Sequence, residues 1–116
     1  MKVLLVDDES KFAVMLSKRL NLRGIDTDYV HTGKDALEMV GQNRYDVVIL
    51  DVKMPGISGI ELQRRLMDMD PALKTILLTG HGSHDDFKAG SAEAVCYLSK
   101  PLKIEKLLQI LHQIEG

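Results

Sequence analysis

Four short stretches of this chain, VLLV (Val3–Val6), VVIL (Val47–Leu50), TILL (Thr75–Leu78) and AVCYL (Ala94–Leu98), are continuously apolar. A strand that buries one face alternates with polar residues, whereas a strand covered on both faces does not, so these runs read as inner strands of a parallel sheet. A fifth stretch, DTDYV (Asp26–Val30), is more polar and alternates, which suits a sheet edge.

Between the runs, apolar residues recur at helical spacing: Ala13, Leu16 and Leu20; Ala36, Leu37 and Val40; Leu62 and Leu66; and Ile104, Leu107, Leu108, Leu111 and Ile114. The punctuation falls at the seams, with Gly24 after the first helix, Thr32 and Gly33 before the second, PGISG before the third, and Asp70 with Pro71 after it. A fourth helix, between His84 and Ala92, is the weakest because Gly90 interrupts it. Strand and helix thus alternate five times, which predicts an α/β domain with a parallel sheet, right-handed crossovers and helices on both faces, a three-layer sandwich. A length of 116 residues suits one domain, taken here as 1–116, with no internal repeat, low-complexity tract or linker.

The formal net charge of -2, with Lys and Arg scattered rather than clustered, argues against direct nucleic-acid binding by this segment. The lone Cys96 excludes an internal disulfide, and its place on a strand predicts a buried structural thiol. No signal-peptide pattern follows Met1 and no apolar run is long enough to cross a bilayer, so no membrane association and a cytoplasmic location are expected.

Parallel α/β sheets bind ligands beyond the carboxyl ends of their strands. Here VLLV ends in Asp7, Asp8 and Glu9, VVIL in Asp51, and TILL in Thr79 and Gly80, while AVCYL is followed by Ser99, Lys100 and Pro101. Singly, each has a structural explanation: Asp8 as a helix cap, Asp51 as a turn opener, Thr79 and Gly80 as a loop, Lys100 as a solvated charge. Together they conflict, because the sheet gathers these ends onto one edge. Two like charges about 4 Å apart at an effective dielectric near 20 repel by about 4 kcal/mol, a large fraction of a small domain's stability. Lys100 supplies one compensating charge, and a hard, oxygen-seeking divalent cation, Mg²⁺, supplies the rest. A carboxylate beside Mg²⁺, a lysine and a hydroxyl is equipped to accept a phosphoryl group, with Asp51 as the nucleophile.

In order and spacing, VDDE, VILDVKMPGISGIE, LLTGHG and YLSKP resemble the receiver domain of two-component response regulators, over essentially the whole chain. The resemblance implies a flavodoxin-like receiver fold, with strand order 2-1-3-4-5 and five helices. It also implies that Asp51 is the phosphoacceptor, Asp8 a direct Mg²⁺ ligand, Asp7 a partner holding the metal mostly through water, and the Lys53 backbone carbonyl the third protein ligand. Thr79 matches the hydroxyl that follows the phosphoryl group, Lys100 the cation that pairs with it, and Tyr97 the aromatic switch that turns inward on activation. The Lys100–Pro101 bond resembles the family's cis peptide. The implied donor is a phosphohistidine on a sensor histidine kinase or histidine phosphotransfer protein. The implied output is a changed surface of fourth helix, fifth strand and last helix, acting on a C-terminal output domain or effector, or through a phosphorylation-dependent dimer.

Two departures touch that surface: Glu93 and Ala94 stand where the family usually has Gly-Ala, and the interval from Thr79 to Lys100 is one residue short of the common spacing. A short or irregular fourth helix is expected. Aspartyl-phosphate hydrolases of similar fold carry an acid two residues after the nucleophile, where this chain has Lys53. A receiver that had lost its chemistry would lack Asp51, Lys100 or the acidic pair, and all are present. A flavodoxin-type cofactor site would need a phosphate-cradling Gly-rich loop after the first strand, which is missing. His81, His84, Asp85 and Asp86 match no strong metal-ligand spacing and read as a solvated loop.

Overall fold

The structure, a computed structural model of the chain, describes residues 1–80 and 96–116. Five strands, β1 (Lys2–Val6), β2 (Asp26–Val30), β3 (Val47–Asp51), β4 (Lys74–Thr79) and β5 (Cys96–Ser99), form one parallel sheet in the order β2-β1-β3-β4-β5. Four helices are found among the described residues: α1 (Ser10–Leu22), α2 (Gly33–Gln42), α3 (Gly59–Met69) and α4 (Ile104–Glu115). The expected helix between His84 and Ala92, the His81 to Asp86 loop, and the beginning of the last apolar run lie outside the described residues.

The continuous apolar runs are explained by two cores, one on each face of the sheet. Val3, Leu5, Val47, Ile49, Ile76, Leu78 and Leu98 pack with Leu16 and Leu20 of α1 and Leu107 and Leu111 of α4. Their strand neighbours Leu4, Val6, Val48, Leu50 and Leu77 point the other way, onto Ala36 of α2 and Leu62 and Leu66 of α3. Every residue of β3 is buried, Asp51 included. β2 is mostly half-buried or exposed, as an edge strand with polar alternation should be.

Local chemistry starts and stops the helices where the punctuation fell. Thr32 Oγ1 accepts the Asp35 amide at 3.1 Å at the start of α2, and Ser58 Oγ accepts the Glu61 amide at 3.2 Å at the start of α3. Gly24 follows α1 with φ of 81°, a left-handed conformation that glycine adopts without a Cβ penalty. The strand ends are level: Val6 pairs with both Val30 and Leu50, Leu50 with Leu77, and Leu78 with Leu98.

Gly59, the first residue of α3, lies against the end of β3. A Cβ built on it would collide with the Asp51 carbonyl oxygen and stand 2.7 Å from Val52 Cα, and neither backbone atom can swing aside as a side chain would. Gly59→Ala should therefore lower the unfolding free energy by about 1–3 kcal/mol, the cost of overpacking, as read from urea denaturation. An unchanged midpoint would show that α3 can slide off the strand end freely.

Candidate functional site

The pairing of Val6 with Leu50 brings Asp7 and Asp51 together just beyond the sheet's buried interior. Each continues the alternation of the strand before it, after Leu5 and Ile49, so both fall on the α1 and α4 side. Asp7 is fully buried, Asp51 is 6% exposed, and Asp8, in the turn before α1, is exposed. One carboxylate oxygen from each of the three lies within 4.8 Å of the others.

Backbone donors fix both buried carboxylates: the Glu9 amide donates to Asp7 Oδ1 at 2.9 Å and the Lys53 amide to Asp51 Oδ1 at 3.2 Å. His31 lies 3.0 Å through Nδ1 from the Asp7 carbonyl oxygen, which can only accept, so Nδ1 carries the proton. The other oxygens face Lys100, whose Nζ stands 2.8 Å from Asp7 Oδ2 and 3.4 Å from Asp51 Oδ2. The same ammonium is 2.6 Å from Glu9 Oε1 and 4.5 Å from the centre of the Phe12 ring. The Lys100 amide donates to the Thr79 carbonyl at 2.8 Å, and the Lys100–Pro101 bond is cis. This all-oxygen donor set, buried on one side and open at Asp8, suits a hard divalent cation that keeps part of its water shell.

The Response regulator receiver domain family description matches residues 3–112. The chain belongs to the response regulator receiver domain family. It is 38% identical over 107 residues to the uncharacterized transcriptional regulatory protein YkoG of Bacillus subtilis, covering 91% of this chain and 47% of that protein. It is 32% identical over 107 residues to sporulation initiation phosphotransferase F of Bacillus subtilis, covering 91% of this chain and 86% of that one. Among solved structures, response regulator protein TrrA of Thermotoga maritima, in complex with Mg²⁺-BeF, superposes with a TM-score of 0.85 at 30% identity, over 97% of both chains. The receiver domain spans about half the length of most of the curated relatives it matches. Receivers are phosphorylation-dependent switches of two-component signalling and generally not enzymes acting on an external substrate.

The remaining residues singled out in the receiver sequence divide between the surroundings of this cluster and the far face of the sheet. Thr79, buried at the end of β4, donates its hydroxyl to the Gly80 carbonyl at 3.1 Å. Lys53 is exposed in the loop after β3. Tyr97 is half-buried against the core on the α2 and α3 face, opposite to the carboxylates. Cys96 is half-buried rather than buried, and burial pushes its thiol pKa up, away from reactive thiolate. Glu9 and Phe12 had no role assigned from sequence. Glu9 was visible only as the third acid of VDDE, and Phe12 carried no signal beyond an apolar residue in a helix.

Burial and then the negative charge of Asp7 push the Asp51 carboxyl from its ordinary 3.8 up to about 6, against the partial pull of Lys100 and the Lys53 amide. Burial alone would lower the pKa of Lys100, but its bonds to Asp7 and Glu9 and the charges of Asp7 and Asp51 outweigh this and raise it. In the metal-free chain, folded Asp51 therefore holds a proton between about pH 4 and 6 that the unfolded chain has released. Stability falls as pH rises through that window and stays lowered above it. Asp51→Asn, measured in EDTA, should raise the unfolding free energy by about 1–3 kcal/mol at neutral pH, and the gain should shrink as pH falls toward 4. A gain of the same size throughout would show that the ionisation of Asp51 is not what costs stability.

Proposed function

We propose that Asp51 is the phosphoacceptor of this domain and that its donor is an N-phosphohistidine on a sensor histidine kinase or histidine phosphotransfer protein. The observation that carries the reading is a carboxylate fixed at the end of a fully buried strand, with an ammonium 3.4 Å from Oδ2 and two more carboxylates in metal-sharing reach. A carboxylate oxygen of Asp51 would attack phosphorus as the N–P bond breaks. The bond pair goes to the imidazole nitrogen, which takes a proton and leaves as neutral histidine. Water attack on the acyl phosphate later returns inorganic phosphate and the free carboxylate. In both directions the domain would act only on its own aspartate.

Asp8, Asp51 and the Lys53 carbonyl would hold Mg²⁺ directly, and Asp7 mostly through water. Bound Mg²⁺ would neutralise charge on the phosphoryl oxygens. Lys100 would pair with one of those oxygens and Thr79 would donate its hydroxyl to another, drawing the end of β4 inward. Tyr97 would then change its packing and alter the surface of β5, α4 and the segment before β5. Residues 1–116 would form one cytoplasmic domain. The greater length of most curated relatives supports an output domain beyond it, and a phosphorylation-dependent dimer is a further possible readout.

Acetyl phosphate or beryllofluoride with Mg²⁺ should modify the wild type and leave Asp51→Asn unmodified, as followed by intact mass for the former and NMR for the latter. Equal modification of the variant would sink the assignment of Asp51. Mg²⁺ alone should stabilise the wild type by about 1.4 kcal/mol at ten times its dissociation constant, raising the melting temperature, and Asp8→Ala should largely abolish that rise. An undiminished rise in the variant would place the ion elsewhere.

A further inference from the structure

Among the described residues, the nearest carboxylate to the Lys100 ammonium is neither Asp51 nor Asp7 but Glu9, at 2.6 Å. Glu9 occupies the N-cap position of α1, with extended backbone at φ of -78° and ψ of 96°, yet its side chain makes no capping hydrogen bond. The helix's free amides, the usual partners of an acid at its start, are forgone for an ammonium 91 residues away in sequence. One turn into the same helix, the Phe12 ring lies 4.5 Å from that ammonium, a cation–π contact. The start of α1 thus offers Lys100 both a charge and an aromatic face.

An ammonium has three protons, and Glu9, Asp7 and Asp51 already offer three carboxylate acceptors. A phosphoryl group on Asp51 would add oxygens that compete for them. We propose that Glu9 and Phe12 are positioning residues that park the Lys100 ammonium against α1, and that this parking opposes phosphorylation of Asp51 by competing with the phosphoryl oxygens for the ammonium. The proposal rests on the phosphoacceptor reading of the site. Glu9 is 62% exposed, so its pair with Lys100 is weakened by solvent and its removal should shift affinity by a few-fold, not by orders of magnitude.

The test uses the chain with Glu9→Gln and, separately, Phe12→Leu, and two readouts. In metal-free protein, the ¹⁵N-ammonium NMR signal of Lys100, visible when an ammonium is held and shielded from exchange, should weaken in both variants. At saturating Mg²⁺, calorimetric titration should show beryllofluoride binding tightened by about two- to fivefold in both. Phe12→Leu leaves the charge unchanged, so a gain confined to Glu9→Gln would assign the effect to direct charge repulsion and overturn the proposal. An unaltered ammonium signal, or unchanged or weaker beryllofluoride binding, would overturn it as well. If the wild type binds no beryllofluoride, the phosphoacceptor reading fails and the competition with it, while the ammonium signal still decides where Lys100 rests.

Discussion

Continued by one residue, the pairing of Val6 with Leu50 sets Asp7 opposite Asp51, and the repulsion between two buried carboxylates on adjacent strands must be met by a cation that the fold itself delivers. Two like charges about 4 Å apart at an effective dielectric near 20 repel by about 4 kcal/mol, a large fraction of a small domain's stability. The cation comes from beyond β4, where the Lys100 amide is tied to the Thr79 carbonyl and the ammonium reaches back to both acids. Burial first and the charge of Asp7 second keep the Asp51 pKa raised despite Lys100. A divalent positive charge at the open Asp8 side would favour the charged form of both buried acids, so the electrostatics of this edge suit a metal.

The sheet was legible in the sequence because strands buried on both faces leave no polar alternation to hide them, and β3, apolar up to Asp51, is the clearest case. The site was legible for a related reason: parallel strands end together, so chemistry written at four separate run ends had to converge. What escaped notice were contacts between residues far apart in sequence, whose own patterns fit a simpler explanation. Asp28 read as the polar side of an edge strand, yet its carboxylate accepts the Tyr45 hydroxyl at 2.7 Å. Gln63, on a helix rich in charge, is buried and donates to Thr75 at 2.8 Å. Phe12 had no reading from the sequence, and only the fold shows its ring under an ammonium.

The site is graded in exposure from Asp7, fully buried, through Asp51, to Asp8, Lys53 and Glu9 at the surface. This gradation divides the labour. The innermost groups are held by backbone amides, and the start of α3 at Gly59 packs closely against the backbone of Asp51 and Val52. The outer groups sit on long or exposed side chains that can follow a change of charge at little cost. Asp51 is thus the tightly held point of the site, next to groups on longer or more exposed side chains.

The same asymmetry runs through the sheet. β3 is central, with every residue buried, whereas β5 is an edge strand of four residues of which only Leu98 is buried. Local displacement costs least where few buried apolar contacts are broken, which favours the edge strand β5 over the buried β3. Lys100 follows directly on β5 and Tyr97 lies within it, while Thr79 pairs with Ser99 at its end. Asp51 is thus built into a fully buried central strand, while the cation that answers it follows directly on a mostly unburied edge strand. The charge that answers Asp51 therefore reaches it across β4, from the end of the edge strand on the far side.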